Sequence, residues 1–235
     1  MACIVYIETS TNVCSVALGE NGQCIMSKES SEEHSPTQVL PSFVQEAVSM
    51  ADSHAIPIDA VAISAGPGSY TGLRVGVSTA KGLCYGRDLK LISVPTLKLM
   101  CVPLLLYRND IPENALLCPM LDARRMEVYS AVYDRALKCV VDINAVIVDE
   151  NSYKELLDNQ PVVFFGNGAS KCKEVIKHKN AIFIDDIVPL AKHMLPLAEK
   201  KWATENFEDV AYYEPFYLKD FVAIKAKNKV LEGLK

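Results

Sequence analysis

Several functional classes require features that this sequence lacks. Its eight cysteines include no CxxC pair, and its four histidines (34, 54, 178 and 193) form neither an HExxH nor an HxxxH pattern. The usual short-range signatures of zinc sites are therefore missing. There is no cationic excess: 24 Lys and Arg stand against 29 Asp and Glu, a net charge of -5. That argues against a lone, strongly basic nucleic-acid binder, whose phosphate affinity comes from clustered cations. The longest near-continuous apolar stretch, Leu97 to Tyr107, is interrupted by Lys98 and Pro103 and is too short to cross a bilayer. The opening apolar run has no basic flank and ends at Glu8, so it reads as a first strand rather than a secretory leader. A cytoplasmic protein is expected, with cysteines acting as small buried hydrophobes and no membrane contact.

What the chain does have is an ordinary globular balance, 50% hydrophobic and 23% charged over 235 residues. Cys3–Glu8 and Val13–Leu18 read as strands, and Asn21-Gly22 is the hairpin signal that turns the chain into a third. A helix starting near Ser35 follows, with Ser35, Pro36 and Gln38 in the positions of a capping box. Ala60–Ser64 reads as a buried strand that runs into a glycine-rich turn and a second helix. Another strand comes next, then an apolar segment to Leu106. The second half repeats this order: Leu116–Leu121 ends at Asp122 as the first strand ends at Glu8, and Val162–Phe165 runs into Gly166-Asn167-Gly168. This order predicts two related α/β lobes, residues 1–107 and 108–206. A C-terminal segment, 207–235, is expected to pack back on the first lobe with a frayed end, where Lys219, Lys225, Lys227 and Lys229 read mainly as solvated.

Three features could carry chemistry. Glu8 and Asp122, at the carboxyl ends of strands, could hold Mg²⁺ in a cleft, or Glu8 could simply cap the Thr9-Ser10-Thr11 turn; both readings stand. The glycine-rich turn Gly66, Pro67, Gly68, Ser69, Tyr70, Thr71, Gly72 and Arg74 could bind an anion at a helix start, or be only a tight turn. It is neither a Walker A loop nor a GxGxxG fingerprint, and it is not a G-x-S-x-G nucleophile elbow. Finally, Gly72, Gly76, Ala80 and Cys84 recur every four residues and give one helix face of small side chains, suited to close packing inside the chain or against another subunit.

Taken together, Ile7-Glu8-Thr9-Ser10-Thr11, the block Ser64–Gly76, Asp122-Ala123-Arg124-Arg125 and Pro215–Phe221 resemble the TsaB (YeaZ) family of glycoprotease-like proteins over nearly the whole chain. The resemblance implies an actin-like ATPase (ASKHA) fold. It implies a non-catalytic role beside the catalytic subunit TsaD and the ATPase TsaE in forming threonylcarbamoyladenosine beside the anticodon of tRNAs that read codons beginning with A. A homodimer is implied for the chain alone, and tRNA contact only through the complex. No cofactor is implied for the isolated chain, leaving the partner boundary as the place for a nucleotide. The HxxxH metal pair of TsaD falls here on Thr96 and Met100, and neither side chain replaces imidazole well. The partner interface implied lies on the first two helices, at Leu40, Phe43, Val44, Ala47, Gly72, Gly76, Ala80 and Cys84. Where family members commonly carry Asp, this chain has Glu8. The competing reading is a stand-alone small-molecule kinase of the same fold, using Glu8 or Asp122 near Mg²⁺ and Gly166-Asn167-Gly168-Ala169 near adenosine.

Overall fold

A computed structural model describes residues 2–31 and 35–219, with only the backbone for 35–37. The expected capping box around Ser35, and the lysines at 225, 227 and 229, lie outside the described side chains. The first lobe contains β1 (Cys3–Glu8), β2 (Cys14–Glu20), β3 (Gln23–Ser30), α1 (Ser35–Ser53), β4 (Ala60–Gly66), α2 (Tyr70–Arg87), β5 (Lys90–Pro95) and α3 (Thr96–Tyr107). Its sheet has the order β3-β2-β1-β4-β5, with β1 antiparallel to β2 and parallel to β4. Asn21 and Gly22 both take positive φ at the β2–β3 turn, which is the backbone their hairpin signal calls for.

The second lobe repeats that plan. It contains β6 (Leu116–Asp122), β7 (Glu127–Tyr133), β8 (Cys139–Ile147), α4 (Lys154–Asn159), β9 (Val162–Phe165), α5 (Ala169–Cys172) and β10 (Ala181–Ile184). Its sheet order, β8-β7-β6-β9-β10, matches the first sheet strand for strand. This doubled meander-plus-crossover is the arrangement of the actin-like ATPase fold.

Burial explains the strand sequences. β1 is covered on both faces, so it is apolar throughout instead of alternating. Cys3, Val5 and Ile7 face α1 and α2, while Ile4 and Tyr6 face the other way. That second face is covered by a 3₁₀ turn (Ala191–Met194) and α6 (Leu195–Ala203). The chain therefore returns to the first lobe near Ala191, earlier than the expected boundary at 206. Segment 207–219 stays there: Glu208 N–H donates to Leu91 O (2.8 Å) and Phe216 N–H to Ala65 O (2.7 Å). α3 is shared, with Leu99 in the first lobe's core and Leu97, Met100, Cys101 and Leu104 in the second's. Among the described residues no helix is long and apolar enough to cross a membrane.

Candidate functional site

The glycine-rich turn does not form an open cradle. It folds onto the loop that follows β1, and its glycines are needed because that loop is so close. A Cβ on Gly72 would come within 2.0 Å of Thr9 O, one on Gly68 within 2.3 Å of Ser10 O, and one on Gly76 within 2.3 Å of Thr9 Oγ1. Gly66 has φ +105°, a conformation that other residues rarely adopt. Polar contacts close the same seam. Ser69 N–H donates to Ser10 O (2.6 Å), Thr9 Oγ1–H to Gly72 O (2.8 Å), and Gly72 N–H to Ser69 Oγ (3.2 Å), which caps α2. Tyr70 and Arg74 stay on the outer side, with Tyr217 against the Tyr70 ring at 5.0 Å and the Arg74 guanidinium over it at 5.3 Å.

Glu8 is the buried anchor of this seam. It is fully enclosed, and its Oε1 accepts the Ser10 N–H (2.6 Å) and the Ser10 hydroxyl. Oε2 has no hydrogen-bond partner in the described structure. Burial pushes the carboxyl up to about 7, although the Ser10 donors and the Ser64 hydroxyl favour its charged form. Thr9, Ser10 and Thr11 are buried as well. Of the two readings of Glu8, the turn cap is the one observed, and the expectation of an open cleft carboxylate is corrected. A kinase-like phosphate site here would need the loop and turn to separate.

Asp122 occupies the equivalent position in the second lobe and is exposed. Its Oδ1 accepts from Lys171 Nζ and from Arg124 N–H (3.0 Å), and its own N–H donates to Asn167 Oδ1 (3.0 Å). Among the described residues the two carboxylates share no hydrogen-bond partner. Thr96 and Met100 are also committed elsewhere. Thr96 Oγ1 accepts the Gly66 N–H (3.2 Å), and Met100 Cε lies 2.4 Å from where a Gly166 Cβ would be. One turn of α3 thus abuts both glycine turns. Among the described residues no cluster of three or more His, Cys, Asp and Glu side chains could hold a metal.

The expected partner face needs a larger correction. Leu40, Val44, Ala47, Gly72, Gly76, Ala80 and Cys84 are all buried in the first lobe. Phe43, half-buried, packs against the same core, as do Val39 and Val48. These apolar residues of α1 turn inward because α1 lies over β2 and against α2, and the small residues of α2 let it settle onto β4 and the Thr9 loop. What faces outward is mainly polar on α1 (Ser42, Gln45, Glu46, Ser49), and on α2 it is Thr71, Ser78, Gly82, Tyr85 and Gly86 flanked by Arg74 and Arg87. Tyr85 is 88% exposed, and a Cβ at Gly82 or Gly86 would meet nothing within 4 Å. The signal was present in sequence: at about 100° per residue, Gly82 and Ser78 lie on the side of the helix away from Gly72–Cys84. Lys171 and the Lys219–Glu127 contact were not anticipated either, because each depends on pairings between distant segments.

Comparison with known proteins agrees with this architecture. The sequence profile described as "TsaD: tRNA N6-adenosine threonylcarbamoyltransferase" matches residues 20–227. The tRNA threonylcarbamoyladenosine biosynthesis protein TsaB of Escherichia coli K12 is 31% identical, covering 94% of this chain and 96% of that protein. TsaB of Haemophilus influenzae is 28% identical, covering 94% and 95%. The solved structure of YeaZ from Pseudomonas aeruginosa superposes with a TM-score of 0.72 at 24% identity, covering 93% of this chain and 100% of that one, and so shares the fold. The matched span and the two-lobed fold lead to the same place: the chain belongs to the TsaD-type family and, within it, to the TsaB (YeaZ) proteins.

Proposed function

We propose that this chain is the non-catalytic subunit of a cytoplasmic assembly that forms threonylcarbamoyladenosine in tRNA, and that it works by docking a TsaD-type partner. The names of the relatives support the pathway. The sealed first-lobe loop supports a role other than phosphoryl transfer, because the residues that would meet a phosphate are occupied by the glycine turn. In this reading TsaE joins the complete assembly, tRNA is reached through the complex, and the isolated chain forms a homodimer through the surface the partner uses. A nucleotide belongs to the boundary between subunits rather than to this chain alone.

The observation that carries the docking surface is the outer face of α2. Gly82 and Gly86 leave open space beside the 88%-exposed Tyr85, so a facing helix can approach closely there and take the ring as a knob. The test has two parts. Depletion of the chain should abolish threonylcarbamoyladenosine in total tRNA. Gly82→Trp should leave the isolated chain folded and abolish co-purification with the TsaD-type partner. Retained co-purification would reject this face, and unchanged nucleoside levels would reject the pathway.

A further inference from the structure

The turn between β6 and β7 stands out from every other turn described. Arg124 and Arg125 have φ of +71° and +48° and are the only adjacent non-glycine pair with positive φ among the described residues. Arginine gains nothing from that backbone; Asn and Gly adopt it more readily. The conformation is held from outside the turn. Lys171 Nζ donates to Asp122 Oδ1, Arg125 O (2.7 Å) and Glu127 O (2.6 Å), while Asp122 Oδ1 accepts the Arg124 N–H (3.0 Å). One partly buried lysine thus makes three hydrogen bonds that hold the turn carrying the two arginines.

The charges point the same way. The two acidic residues flanking the arginines are both already engaged, Asp122 with Lys171 and Glu127 with Lys219. Neither guanidinium has an acceptor among the described residues, and both residues are exposed. A local surplus of two positive charges therefore sits on a hydrogen-bonded turn of a protein whose net charge is -5. The turn follows the carboxyl end of β6, on which the second lobe's own glycine turn packs, yet the two arginines remain exposed. Both arginines are exposed and line neither cavity described, which suits successive phosphates of a polymer better than a small nucleotide.

Resting on the tRNA-modification reading above, we infer that Arg124 and Arg125 contact the phosphodiester backbone of the tRNA when the complex is assembled. Guanidiniums match phosphate oxygens in a bidentate manner, and contacts of this kind position the RNA without reading its sequence. The surplus is too small to bind RNA by itself, which agrees with the chain reaching tRNA only beside its partner.

The test uses the assembled complex of the full chain with its TsaD-type partner and an unmodified tRNA that the complex acts on, titrated over a range of salt concentrations. Arg124→Asn/Arg125→Gly removes both guanidiniums and supplies residues that favour the turn. Assembly and melting temperature should hold or rise, while tRNA affinity falls about tenfold and the slope of log K against log salt shrinks by about two. Arg124→Lys/Arg125→Lys should recover most of the slope. Unchanged affinity and slope in the first variant would overturn the inference. Loss of partner assembly would also overturn it, by assigning the pair to a protein contact. A parent complex that assembles yet binds no tRNA would overturn it too. Failure of depletion to lower threonylcarbamoyladenosine would, separately, remove the functional reading on which it rests.

Discussion

The same substitution, glycine to alanine, should have opposite effects at two positions of α2. At Gly82 the added methyl meets nothing within 4 Å. The change then acts through helix propensity and the entropy of the unfolded chain, and should stabilise by about 0.5–1 kcal/mol. At Gly72 the methyl would lie 2.0 Å from the Thr9 carbonyl oxygen and 3.2 Å from its carbon, both backbone atoms. The helix start must move away, at an overpacking cost of about 1–3 kcal/mol. The move also loosens the Ser69–Ser10 and Thr9–Gly72 hydrogen bonds, worth about 1 kcal/mol each. After the propensity gain is deducted, Gly72→Ala should cost roughly 2–4 kcal/mol. For a chain of this size each kcal/mol shifts the melting temperature by about 2–4 °C. Calorimetry of the isolated chain should therefore show Gly82→Ala melting a few degrees above the parent and Gly72→Ala roughly 5–15 °C below it. Shifts of the same sign and similar size would refute the assignment of one small face to the interior and the other to solvent.

Other outcomes follow from the same seam. Glu8 has an ordinary value of 4.5 and is raised by burial to about 7, so between these values the folded state retains a proton that the unfolded state has released. Stability from this group is fully present below about 4.5 and is lost as pH rises through about 7, a loss of about 3 kcal/mol at most. Glu8→Gln keeps an acceptor for Ser10 and should flatten that dependence, melting well above the parent at pH 8 and close to it at pH 5; parallel pH profiles would contradict this. Ser69→Ala removes the side-chain cap of α2 and should cost about 0.5–2 kcal/mol in denaturant titration. Leu40→Ala should cost about 2–5 kcal/mol with no partner present, since Leu40 is fully buried in the chain's own core; a loss confined to the complex would restore it to the interface.

Much of the architecture was legible because strand and turn signals are local. Asn21-Gly22 announced its hairpin, and the order of elements after Glu8 and after Asp122 announced the duplication, despite little residue identity between the halves. The small-residue spacing on α2 correctly signalled a close approach. It could not say what approaches, because Thr9 reaches Gly72 only after β1 and β4 have paired. Glu8 posed the same difficulty: a strand-end carboxylate looks alike whether its loop is open or sealed, and the sealing residues are about sixty positions away. The apolar surplus of α1 misled for a different reason. An apolar surface that wide suggests a second partner, whereas here α2 and the sheet together cover it from within the lobe.

Because α3 contributes side chains to both hydrophobic cores, neither half can lose its packing without stripping a wall from the other. Two sheets that look like separable units are thus mechanically one body. A thermal scan should therefore pass through a single transition, and excising either half should leave the remainder molten rather than folded.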